Sequence, residues 1–218
     1  MHTKRTIAEI GQESVRINIK GDKRAGFTIL GTISSEGDKF PLALFAKGKQ
    51  NRCHKQLGNH PNHNYKVFHS ESGWVTEQTF CEYLAWIRGI VGSTKKIYLV
   101  VDQFGAHFGS SVEEKASELK IILIPVPKGG TSTFQPLDRG IFGIMKRKGV
   151  SKWIQKNHEN PDMKWTKEEA AAIALERWDE ITKYHIISAW NFEEDLTSSG
   201  SSANESDGEY LPEIKMND

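Results

Sequence analysis

The chain has 218 residues, 37% apolar and 26% charged, enough for one sizeable core and a tail. No apolar run reaches the roughly 18 residues of a membrane-spanning helix, and Met1 to Thr6 lacks the apolar centre of a signal peptide. The net charge of +1 hides an asymmetry: residues 193–218 hold eight acids and one base, so residues 1–192 carry +8, which suits a polyanionic partner.

Residues 1–12 show little periodicity and read as a loose lead. Val15-Arg16-Ile17-Asn18-Ile19 alternates and predicts a strand. Gly21 to Arg24 is a turn, and residues 25–47 read as an antiparallel hairpin with strands near Phe27–Ile33 and Phe40–Phe45. Residues 47–66 are rich in Asn and His and predict an exposed loop. Cys53, His54, His60, His63 and His69 match no standard zinc spacing, and solvated loop histidines are the expectation. Cys53 and Cys81 form no C-x-x-C pair and read as reduced thiols.

Thr76 is a good N-cap for a helix whose Phe80, Tyr83, Leu84, Ile87 and Val91 share one face, ending near Gly92. Ile97 to Val101 is an apolar strand that stops at Asp102. Ser110 or Ser111 starts a helix that ends near Leu119, and a second apolar strand covers 121–126. After a Pro/Gly-rich loop a helix runs from Gln135, with Pro136 in its permitted first turn. Lys146, Arg147, Lys148, Lys152 and Lys156 make that helix basic. Pro161-Asp162 breaks the chain, and Thr166-Lys167-Glu168-Glu169 caps a final helix running to about Trp190. Residues 193–218 form an acidic tail whose composition predicts disorder.

Asp102 ends one strand and Asp138 sits where the next-but-one element begins, with 35 residues between them. An acid at the carboxyl end of a buried strand lies at the usual ligand edge of an open sheet. Two such acids on neighbouring elements can converge on one cation.

The element order, hairpin, helix, strand, helix, strand, helix, is that of a ribonuclease-H-like α/β fold, a mixed sheet flanked by helices. Four stretches resemble the DDE superfamily endonucleases of pogo/Tigger-type transposases, with centromere-protein-B-like and jerky-like relatives. They are Phe40–Gly48, Ser70–Thr76, Val101-Asp102-Gln103-Phe104-Gly105-Ala106-His107 and Phe134-Gln135-Pro136-Leu137-Asp138-Arg139-Gly140-Ile141-Phe142. The resemblance covers residues 6–192. It implies cleavage and joining of DNA by divalent ions, Mg²⁺ or Mn²⁺, held by three acids. Asp102 matches the second acid and Asp138 the third. His107 matches a histidine five residues after the second acid, in a supporting or DNA-contacting role.

The usual Asn after the second acid is Gln103 here. The stretch in which the family carries its first acid has no counterpart, so the reading is of a domain over 1–192 whose first strand is missing and which binds one ion at most. Exposed sheet edges would then favour self-association. Lys146, Arg147, Lys148 and Lys152 are the expected DNA contacts, with low sequence preference, and the nucleus is the expected location. Three readings follow: an impaired DDE endonuclease, a non-catalytic domesticated DNA-binding or assembly module, and a degenerate gene fragment.

Overall fold

The computed structural model describes residues 27–49, 55–160 and 166–191. The loose lead over residues 1–12, the expected strand at Val15–Ile19, the Gly21–Arg24 turn, Cys53, His54, the break at Pro161-Asp162 and the acidic tail lie outside them.

Strand β2 (Leu42–Lys47) is the centre of a three-stranded sheet. It pairs antiparallel with β1 (Thr28–Leu30), Ile29 facing Leu44, and parallel with β3 (Tyr65–Ser70), Leu44 facing Val67. Leu42 to Ala46 are all fully buried. Alternate side chains of a strand point to opposite faces, so five buried residues in a row require cover on both sides. On one face Leu42, Leu44 and Ala46 pack against Met145, Leu175, Trp178 and Ile186. On the other, Ala43 and Phe45 meet Phe68, Phe80, Tyr83 and Leu84. Those last three lie on α1 (Glu77–Val91), which starts at a Thr76 capping box with Thr79 and stops at Gly92.

A second sheet consists of β4 (Ile97–Val101) and β5 (Ile121–Pro125), parallel and joined by α2 (Ser110–Glu118). Their inner face, Ile97, Leu99, Val101, Ile121 and Leu123, joins the α1 cluster. The opposite face carries exposed Tyr98, Ile122 and Ile124. A short helix α3 (Thr131–Phe134) follows, then a π-helical turn (Leu137–Ile141) that runs into α4 (Phe142–Glu159).

The single long helix expected to reach Trp190 is two helices, α5 (Lys167–Asp179) and α6 (Lys183–Trp190). Thr182 starts the second with its own capping box, His185 supplying the returning side chain. The Lys39 ammonium seals the break, donating to the carbonyls of Trp178, Asp179 and Ile181 at 2.7, 2.7 and 3.0 Å. The loop expected over 47–66 also needs correction. It contains a helical turn at 55–57 and ends in β3, whose Val67 and Phe68 are both buried because the sheet it shares with β2 is covered on both faces. No helix among the described residues is long and apolar enough to cross a membrane. The result is the expected mixed α/β, ribonuclease-H-like arrangement, with its strands in two sheets.

Candidate active site

The carboxyl ends of β4 and β5 leave the second sheet at the same edge because the strands are parallel. The Val126 amide bonds the Val101 carbonyl at 2.8 Å, so the two chains are still tied together where the strands finish. Asp102 is the next residue after β4. The chain then turns through a 3₁₀ segment (Gly105–His107) that brings His107 back beneath it.

His107 Nδ1 lies 2.8 Å from Asp102 Oδ1. An ionised carboxylate only accepts, so Nδ1 carries the proton and donates. This bond, with help from the Phe104 backbone N–H, holds the Asp102 carboxyl below its usual value of 3.8. The imidazole is buried and packs on the Phe80 ring at 4.2 Å between centroids. Its Nε2 is buried with no hydrogen-bond partner among the described residues. The ring is therefore positioned by α1 and by Asp102 together, and it fixes the carboxylate.

Asp138 sits in the π turn ahead of α4. A π turn is rare and tends to occur at functional sites, because its extra residue re-aims a side chain that a plain helix would point elsewhere. Burial raises the Asp138 carboxyl above its usual value, and repulsion from Asp102 adds to this; Lys146 works against both. Asp102 has a hydrogen-bonding partner in His107, whereas Asp138 has only the charge of Lys146 set against burial and repulsion from Asp102. Arg139, its neighbour, turns away and donates to the carbonyls of Ala189 and Asn191 at the end of α6.

Two carboxylates under mutual repulsion suit one hard divalent cation. No group of three or more His, Cys, Asp or Glu among the described residues could hold a metal ion. His60 is occupied by the Leu57 carbonyl and His63 by Asp179.

Residues 23–190 match the DDE superfamily endonuclease family. The chain belongs to that family. No curated protein and no solved structure matches it significantly. Members of this family act on nucleic acid and generally use divalent metals. Within the DDE chain, the four residues of α4 expected to contact DNA, Lys146, Arg147, Lys148 and Lys152, divide into two pairs. Lys148 bonds Glu180 at 2.8 Å, and Lys152 bonds Glu176. Lys146 and Arg147 form no ion pair among the described residues and are exposed. Lys146 is also the base that favours the charged form of Asp138.

Two features were missed from sequence. The π turn at Asp138 has no residue pattern to announce it. The Lys–Glu pairs join α4 to α5 across 32 and 24 residues, a distance over which charge spacing is silent.

Proposed function

We propose that this DDE domain is of pogo/Tigger transposase descent, binds DNA with little sequence preference in the nucleus, and holds one Mg²⁺ or Mn²⁺ between Asp102 and Asp138. The placement of Asp102 directly after β4 and of Asp138 in the π turn ahead of α4, inside the stretch that matches the family, is the observation that carries the reading. A divalent cation held there supplies Lewis-acid polarisation of a phosphodiester. The chain's own parts set up that chemistry. His107 keeps Asp102 ionised and oriented, Asp138 supplies the second carboxylate from the π turn, and Lys146 and Arg147 take the phosphates beside it.

A non-catalytic DNA-binding module is the second reading. It is favoured by the absence of a third acid ligand among the described residues. Two carboxylates alone would be too few to fix two ions on either side of a phosphodiester, so this reading expects slow cleavage.

Thermal unfolding with Mn²⁺ separates these possibilities. The wild-type chain should be stabilised by millimolar Mn²⁺, and Asp102→Asn or Asp138→Asn should remove the effect. Plasmid nicking should stay near the EDTA control. No Mn²⁺ shift in the wild type overturns the metal reading. Robust nicking lost in Asp102→Asn overturns the non-catalytic one. Duplex binding that ignores salt overturns the DNA reading, because phosphate contacts release counterions.

A further inference from the structure

The outward face of the second sheet is apolar. Strands β4 and β5 run in parallel register with Tyr98 opposite Ile122 and Val100 opposite Ile124. Alternate residues of a strand share a face, so these four side chains form one contiguous block. None of the four belongs to either core cluster. Tyr98 is 61% exposed, Ile122 44% and Ile124 41%. Single apolar residues scattered over a surface are ordinary, whereas four in register on one sheet face mark a place where something docks.

The rim of this block carries one sign of charge. Lys95 and Lys96 lead into β4 and Lys120 leads into β5, so all three stand at the amino ends of the strands. All three are exposed and form no ion pair among the described residues. Their backbone is pinned: the Arg88 guanidinium of α1 donates to the Lys95 and Lys120 carbonyls at 2.7 and 2.8 Å, which ties the two strand starts together. Ile122 also borders a groove lined by Lys96, Phe108, Lys120 and Leu123, in which Glu113 is the one acid. The occupant that fits is a segment with apolar side chains set among acids.

We infer that the outward face of β4 and β5 docks the chain's own acidic tail, through the stretch Glu209-Tyr210-Leu211-Pro212-Glu213-Ile214-Lys215-Met216. Residues 193–218 hold eight acids and one base, and this stretch is where they interleave acids with large apolar residues. Tyr210, Leu211, Ile214 and Met216 match the block, and Glu209 and Glu213 match the lysine rim. The side of the domain is also right. Helices α4 to α6 cover the first sheet on its face away from α1, and the Tyr98–Ile124 block likewise faces away from α1, which both sheets share. On that side α6 ends, its Asn191 carbonyl held by Arg139 at 3.0 Å. From Asn191 to Glu209 is 18 residues, which extend up to about 60 Å, further than a domain of this size is wide. A second copy of the same face would set lysine against lysine. The inference stands apart from the metal and DNA readings and uses none of their residues.

Photo-cross-linking of the full chain tests it. With p-benzoylphenylalanine in place of Tyr98, irradiation at low salt should join position 98 to peptides within residues 209–216. An equal mixture of light and heavy-nitrogen chains separates links within one chain from links between chains, and the links should be within one chain. Leu211→Ser with Ile214→Ser should lower the yield by roughly tenfold, because the apolar contacts go. Glu209→Gln with Glu213→Gln should lower it by about threefold and remove its dependence on salt. The same probe in place of Tyr184, which is 75% exposed on α6, should capture little of residues 209–216. Unfolding curves check that each variant is folded. Equal capture of 209–216 from positions 98 and 184 overturns the inference, as does a yield that ignores the serine variant. Links from position 98 to β4 or β5 of another chain replace the tail with a second copy. No link to 209–216 at all overturns the inference outright.

Discussion

The two sheets of this domain are built to different standards. In the first, β2 is buried along five consecutive residues, with helices α4 to α6 on one face and α1 on the other. In the second, β4 and β5 bury one face against α1 and α2 and leave Tyr98, Ile122 and Ile124 in solvent. The acids sit at the end of the second. Stability is therefore concentrated in one sheet and chemistry at the edge of the other. A site that must admit a polyanion and a cation gains from being on the less enclosed part, where strands end and carboxylates stay wet.

The largest effect should be on the covered sheet. Phe45 is fully buried, stacked on Phe68 at 4.9 Å and beside Tyr83 at 6.4 Å. Phe45→Ala should cost roughly 3–5 kcal/mol, because the ring is lost and the cavity cannot collapse between two packed layers. Ile122→Thr, on the open face, should cost about 0.5 kcal/mol or less. Urea unfolding of the two variants measures the contrast. Similar losses at both positions would break the comparison.

Next in size is the link between the sheets' shared core and the site. His107 packs on Phe80 of α1 and donates to Asp102. His107→Ala removes both contacts and should cost about 2–3 kcal/mol at neutral pH. The sign of the pH dependence follows from Asp102. Its folded carboxyl lies below 3.8, so its contribution is complete above that value and is lost as pH falls through the folded value. The gap between wild type and His107→Ala should therefore narrow below about pH 4. A constant gap down to acid unfolding would mean that the ring packs but does not hold the carboxylate.

Asp138 should behave in the opposite way. Its carboxyl is raised, so ionising it works against folding, and the penalty grows as pH climbs from 3.8 through the folded value. Asp138→Asn should stabilise the metal-free chain at pH 7, by less than about 1 kcal/mol since solvent screens a half-exposed group. The same substitution should abolish stabilisation by Mn²⁺. Matched melts with and without the ion show both. Loss of stability without the ion would mean that Asp138 has a favourable partner and is no strained ligand.

Much of this could be read from the sequence. Thr76, the Phe80–Tyr83–Leu84–Ile87 face, the apolar runs at 97–101 and 121–125, and the acid after the first of them all follow local rules of capping and period. What was illegible depended on cover. Val67 and Phe68 are both buried in β3, so the alternation that marks a half-covered strand is absent, and the surrounding Asn and His residues read as loop. The break at Glu180 to Thr182 was hidden because His185 stands where a capping box normally has Glu or Gln. The positions of Asp102 and Asp138 in the chain pointed to a shared edge. The opposite directions in which their carboxyls are shifted depend on His107, burial and Lys146, which only the folded chain brings together.

The smallest effect concerns the outer surface of the helices that cover the first sheet. Of the four α4 residues expected to contact DNA, Lys148 is held by Glu180, just after α5, and Lys152 by Glu176 of α5, and the bonds keep both glutamates below their usual carboxyl range. These pairs are on the surface, so each contributes less than about 1 kcal/mol to stability. Their larger consequence is for binding, because a lysine already paired releases fewer counterions when it meets a phosphate. Glu176→Gln with Glu180→Gln should leave the fold intact and tighten duplex binding. If both freed lysines reach phosphates, the log–log salt slope should steepen by roughly two, one phosphate contact each. Lys146→Ala, which has no such partner to release it, should flatten the slope by about one. A double glutamine variant with the wild-type slope would show that Lys148 and Lys152 face away from DNA, and that the helix layer covering the first sheet serves stability alone while the open edge near Lys146 and Arg147 does the binding.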